Sequence, residues 1–133
     1  YLTVYNEPVP QPAMPDWVSE DEIVRGLYQF AAAPERADTP ATILFSGSAQ
    51  GAARAAADEL AERYGVAADL WSATSYKRLR EEALEAERWS ALHPDAESRT
   101  PLVTAKLADA VGPVVAVSDF MRAVPDQVSR WIQ

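Results

Sequence analysis

The 133-residue chain contains no cysteine, and that absence alone excludes disulfides and thiolate metal sites. It is compatible with a reducing cytoplasm, the expected location, but constrains compartment only weakly because many exported proteins also lack cysteine. Basic residues are in deficit. The 12 Lys and Arg against 20 Asp and Glu leave a net charge of -8, the opposite of the concentrated positive face that phosphate backbones require, so no nucleic-acid partner is expected. No apolar run approaches the roughly 18 to 20 residues that cross a bilayer, and the N-terminus lacks the basic-then-apolar pattern of a leader. Neither a membrane partner nor a signal peptide is expected. Histidine occurs once, so no histidine pair exists for a metal.

What remains is a hydrophobic fraction of 48% in a length suited to one globular domain with a real core. The chain begins at Tyr1 on an apolar, β-prone stretch, and the expectation is a piece of something longer. Tyr1 to Tyr5 reads as a short strand, the end of a preceding sheet. Pro8, Pro10, Pro12 and Pro15 then forbid helix or ladder and favour an extended linker, so residues 1–18 are taken as exit strand and linker and residues 19–133 as the domain proper.

Within that domain, Ser19 followed by Glu20, Asp21 and Glu22 has the cap and charge order of a helix N-terminus, and Gly26 limits that helix to about two turns. Leu27 to Ala31 reads as a strand. Thr42 to Phe45 is an almost wholly apolar run, the mark of a strand covered on both faces. The next segment places Ala49, Ala52, Ala53, Ala56, Leu60, Ala61 and Tyr64 on one helix face, with Ser48 placed to cap its start and Gly65 to end it. Val66 to Ala73 is the next strand, giving a strand-helix-strand unit with parallel strands and a right-handed crossover. Tyr76 to Leu92 is a helix with Tyr76, Leu79, Ala83 and Ala86 inward, stopping at His93-Pro94; Lys77 with Glu81 and Arg78 with Glu82 are opposite charges four apart on its wet side. A helix over Pro101 to Val111, a strand over Val114 to Val117 and a last helical stretch over Val124 to Ile132 complete the order, which implies a three-layer α/β/α sandwich around a mostly parallel sheet.

Few residues offer chemistry. Ser46-Gly47-Ser48-Ala49-Gln50-Gly51 lies where a strand hands over to a helix, and backbone N–H groups there can hold an anion. The segment lacks the Lys-Ser or Lys-Thr of a phosphate-binding loop and the full glycine pattern of a dinucleotide fold, so a tight turn with a helix cap is the preferred reading and the anion site a weak alternative. His93 could serve as a general base, or could only donate to a helix end or an interface, with Trp89 nearby. Glu81, Glu82, Glu85 and Glu87 crowd one helix and read as a solvated face. Trp17, Trp71, Trp89 and Trp131 are scattered and read as core or contact residues.

Several short strings together carry a resemblance. Tyr1-Leu2-Thr3-Val4-Tyr5-Asn6-Glu7 with Pro12-Ala13-Met14-Pro15, then Glu87-Arg88-Trp89-Ser90-Ala91-Leu92-His93-Pro94, then Ser118-Asp119-Phe120-Met121-Arg122 resemble, in order and spacing, stretches of the homodimeric, acetyl-transferring first components of pyruvate dehydrogenase complexes. The resemblance implies a transketolase C-terminal-like domain whose first strand is antiparallel and whose chain continues past Gln133 into a fifth strand. It implies a parent that uses thiamin diphosphate and magnesium to decarboxylate pyruvate and passes acetyl to a lipoyl acetyltransferase component. In such parents the cofactor is held by the preceding domains, so no catalytic, cofactor or metal ligand is expected in this chain, whose share is the dimer and the surrounding architecture. Other thiamin enzymes of transketolase type, a small-anion binding module and a purely structural interaction domain are the alternatives.

Overall fold

The computed structural model describes residues 4, 8–35 and 37–132. The expected strand over Tyr1 to Tyr5 therefore lies, apart from Val4, outside the described residues.

The first helix, α1 (Glu20–Arg25), starts with a full capping box: the Ser19 hydroxyl accepts from the Glu22 N–H, and the Glu22 carboxylate accepts from the Ser19 N–H. Gly26 ends it at φ +109°, where an added Cβ would lie 2.9 Å from the Ser75 carbonyl oxygen. β1 (Leu27–Ala31) follows, then β2 (Thr39–Phe45), a 3₁₀ turn at Gly47–Ala49, α2 (Gln50–Tyr64), β3 (Val66–Ala73), α3 (Tyr76–Leu92), α4 (Leu102–Lys106), β4 (Val114–Val117) and a 3₁₀ helix at Pro125–Trp131. The four strands lie in the order β1-β3-β2-β4, with β1 antiparallel to β3 and the other pairings parallel.

Both faces of the sheet are covered. Ala41, Ile43 and Phe45 of β2 join Ala68 and Leu70 of β3 against Ala53 and Ala57 of α2. On the opposite face Leu44 meets a larger cluster built by Tyr76, Leu79 and Ala83 of α3, Leu102 and Val103 of α4, and Val128 and Trp131. Alternate residues of β2 thus serve two cores, which is why Ala41 to Phe45 is buried throughout and apolar except for Thr42. This is the expected three-layer sandwich with an antiparallel first strand.

Several local expectations shift. β2 begins at Thr39 and contains Pro40, which is tolerated because the pairing with β4 starts only at Thr42 opposite Val114. The buried stripe of α2 is narrower than its apolar pattern: Ala53, Ala57 and Ala61 are buried, Ala52 and Ala56 are not, and Tyr64 is 64% exposed. In α3, Tyr76, Leu79, Ala83 and Ala86 are all buried as the periodicity requires. α4 is five residues, not the eleven expected, because the Ala110 N–H turns back to Leu107 and the chain then bends at Gly112, φ +84°, to enter β4. The last helical stretch is 3₁₀, its end held by the Thr104 hydroxyl donating to the Trp131 carbonyl at 2.7 Å. Trp17 is 67% exposed, its indole N–H donating to the Gln29 carbonyl at 3.2 Å, so it belongs to no core.

Candidate functional site

At the carboxyl end of the sheet, β2 leads into α2 on one face, while β3 leads through Thr74 and Ser75 into α3 on the other. Neighbouring parallel strands whose exits diverge in this way leave a crevice between their ends. Phe45 and Gly47 stand on its β2 side, with Ser46 and Ser48 flanking Gly47 in the chain. The Ser46 N–H donates to the Val117 carbonyl at 3.2 Å, and its hydroxyl donates to the Ser118 hydroxyl at 2.8 Å, so Ser46 ties β2 to the end of β4. The Ser118 oxygen in turn accepts from the Phe120 N–H at 3.0 Å. Gly47 takes φ +55°. Ser48 does not cap α2: its buried hydroxyl has no partner among the described residues, because the intervening 3₁₀ turn already leads the chain into the helix.

Gln50, 6% exposed at the first position of α2, faces the proline-rich strap. Its amide N–H donates to the Pro10 carbonyl, while its Oε1 is buried without a partner among the described residues. The crevice, about 400 Å³, lies between this end of α2, Phe30 and Phe45, Ser72 of β3, and Pro12 and Met14 of the strap.

His93 and Trp89 sit elsewhere. α3 runs back from the carboxyl end of β3, and its 17 residues place its C-terminus about 25 Å away along its axis. There the His93 ring stacks on Trp89, with centroids 4.5 Å apart and planes at 16°, and its Nδ1 lies 2.8 Å from the Trp89 carbonyl oxygen. Arg99, which no motif or spacing singles out, covers the Trp89 ring at 4.1 Å. Its N–H donates to Ser90 Oγ at 2.9 Å, folding the 93–99 loop onto the helix end. The structure therefore brings Trp89 and His93 together and keeps both apart from Ser46 to Ser48.

The acidic run of α3 is not uniformly solvated. Glu81 pairs with Lys77 at 3.3 Å, as its spacing predicts. Glu82 does not take the expected Arg78 contact; it accepts from the Leu102 N–H at 2.8 Å and so caps α4. Glu87 accepts from the Trp131 indole at 2.8 Å and pairs with Arg130, bonds that hold its carboxyl below the usual range. Glu22 is likewise drawn down to about 2, first by its bond to Lys106 and then by its capping contact with Ser19.

A larger cleft, about 830 Å³, follows β4 and the 3₁₀ helix over Leu44, Val114, Val128 and Ile132. Tyr76 lines it at 3% exposure, and its hydroxyl has no partner among the described residues; burial pushes its pKa up to about 12. Among the described residues no group of three His, Asp or Glu could hold a metal, and no helix is long and apolar enough to cross a membrane.

Residues 26–131 match the family model of the transketolase-like TK C-terminal domain. The chain is 49% identical over 132 residues to a protein named pyruvate dehydrogenase E1 component from Mycolicibacterium smegmatis, 46% to that of Mycobacterium tuberculosis and 36% to that of Escherichia coli K12. In each case 99% of this chain aligns with 14% of the relative, so the chain spans about one seventh of the length of these proteins.

Proposed function

Since the chain belongs to the transketolase-like C-terminal domain family, we propose that it is the C-terminal domain of a pyruvate dehydrogenase first component, with residues 1–18 leading out of the preceding domain. The observation that carries this reading is the extent of the alignment: it runs over 132 residues and so includes the proline-rich strap that lies outside the family match at 26–131. On this reading the longer protein decarboxylates pyruvate in the cytoplasm, hands acetyl to a lipoyl acetyltransferase partner and works as a homodimer. The domain itself supplies folding, the subunit interface and the walls around the active site.

Thiamin diphosphate and magnesium would be the cofactors of such a protein. On this reading they are held by the preceding domains, and no step of the reaction falls to the residues of this chain. The outer edge of β4, unpaired among the described residues, shares a cleft with Tyr76, whose hydroxyl has no partner among them, and is on this reading where the longer protein adds its next strand.

The test is to read the coding sequence on both sides of residues 1–133 and to assay the product of the whole frame for pyruvate-dependent acetylation of a lipoyl domain. A thiamin-binding half upstream, with activity that is lost when this domain is deleted, is the expected result. Start and stop codons closing around these residues alone would overturn the proposal.

A further inference from the structure

We propose that Gln50 is the clasp of a two-position strap: its side chain holds residues 10–14 down at the start of α2, and releasing it frees them as one stiff arm that swings from Pro15.

A single bond does the holding. Gln50 is 6% exposed, and the Pro10 carbonyl is the one partner of its side chain among the described residues, since its Oε1 has none. A carbonyl only accepts, so it is the NH₂ end that donates. Lifting the strap breaks the only hydrogen bond of this amide, and proline leaves the strap little freedom to regain, so one bond favours the closed position about tenfold.

The other end of the strap is rooted in the domain. Val18 is 6% exposed, its N–H donates to the Pro15 carbonyl at 3.0 Å, and the Trp17 indole donates to the Gln29 carbonyl of β1 at 3.2 Å. Between root and clasp, Gln11, Pro12, Ala13 and Met14 are exposed, belong to no helix or strand and make no hydrogen bond among the described residues. No bond but the clasp holds them down. Proline at positions 10, 12 and 15 fixes the backbone in extended geometry, which spans about 3.1 Å per residue, or about 15 Å from Pro10 to Pro15. Such a segment moves as an arm.

What the arm closes is the crevice. With the clasp made, Gln11, Pro12 and Met14 wall it together with Tyr28, Phe30 and Phe45, and bound a space of about 400 Å³. With the arm raised that wall is gone, and the Gly47 turn opens to solvent. The strap thus gates the carboxyl end of the sheet, and one residue at the start of α2 sets the gate.

The test reads heteronuclear nuclear Overhauser effects at the Gln11, Ala13 and Met14 amides of the whole 133-residue chain, with Ala57 and Ala61 of α2 as the rigid reference. Wild-type values should approach the reference. Gln50→Leu should drop them to the range of a free chain end and leave α2 unchanged. Gln50→Glu should do the same at neutral pH, because a carboxylate cannot donate to the Pro10 carbonyl and Arg54, four residues on and over the Phe30 ring, favours its ionised form. Below about pH 4 the protonated acid donates again, and the strap should stiffen while the wild-type strap stays as it was. A side chain that served packing alone would show no such recovery. If Gln50→Leu does not fold, the Gln50→Glu series decides, since a carboxylate suits the first turn of a helix. Wild-type strap amides as mobile as a free end overturn the proposal. So does a folded Gln50→Leu variant with a rigid strap, or a Gln50→Glu strap whose mobility does not follow pH.

Discussion

Replacing Tyr76 by phenylalanine removes one oxygen from a side chain that is 3% exposed, and leaves its ring in the core against Leu79 and the strand residues. In the 133-residue chain that oxygen has no partner among the described residues, so folding takes a hydroxyl out of water without compensation. Such a group costs about 1 to 3 kcal/mol when buried, and the substitution opens almost no cavity. Tyr76→Phe should therefore stabilise this chain by about 1 kcal/mol, a rise of about 3 to 5 °C in midpoint for a domain of this size. In a longer protein whose next strand covers the β4 edge, the hydroxyl gains an acceptor and the sign reverses, the same change costing about 1 kcal/mol. A chain extended past Gln133 should also exceed the short one in stability by several kcal/mol. Urea melts of both lengths, with and without the substitution, form the assay. The alkaline limb provides a second readout: the folded state keeps the Tyr76 proton up to about pH 12 while the unfolded chain releases it near 10, so stability falls as pH rises through that window. The variant should lack that contribution. A short chain that loses 1 kcal/mol or more on Tyr76→Phe would refute the reasoning.

Gly112→Ala should be severely destabilising, by about 3 kcal/mol or more, because the residue sits at φ +84° and the new Cβ would stand 2.2 Å from the Pro40 carbonyl oxygen; a chemical denaturation curve decides it. Glu22, lowered to about 2, contributes stability that is present above its unfolded value of 4.5 and lost as pH falls towards 2. Its partial exposure limits the effect to about 0.5 to 1 kcal/mol, and Glu22→Gln should flatten that part of the acid titration. Ser48→Ala should leave stability unchanged or raise it slightly, since its hydroxyl caps nothing, and a loss of 1 kcal/mol in a thermal melt would mean that it does cap α2.

The elements with strong local signals were legible in the sequence. Ser19, Glu22 and Gly26 bound α1 as their types require, and the period of Tyr76, Leu79, Ala83 and Ala86 marks the inner face of α3. The antiparallel first strand came only with the family resemblance, because periodicity is blind to strand direction. α4 was overextended: Leu102 to Ala110 is compatible with helix throughout, and what stops it is the need to deliver Gly112 beneath Pro40, a contact between residues far apart along the chain. The site was legible only as a turn. That Ser46 would be tied to Ser118, that Gln50 would be buried under the strap, and that Glu82 and Glu87 would leave the solvated face to bind backbone and indole all depend on pairings distant in sequence.

The two α3 carboxylates also order how the molecule comes apart. Glu82 holds the start of α4 and Glu87 holds Trp131, so much of the last quarter of the chain is docked onto a helix rather than hydrogen-bonded into the sheet, to which it gives only the four residues of β4. Amide exchange under native conditions should then divide the chain into two cooperative units. The segment from Leu102 to Trp131 should open together at low free energy, while β1 to β3 with α2 exchange only on global unfolding. In refolding the same segment should be the last to acquire protection, since its anchors lie 20 and 44 residues away along the chain.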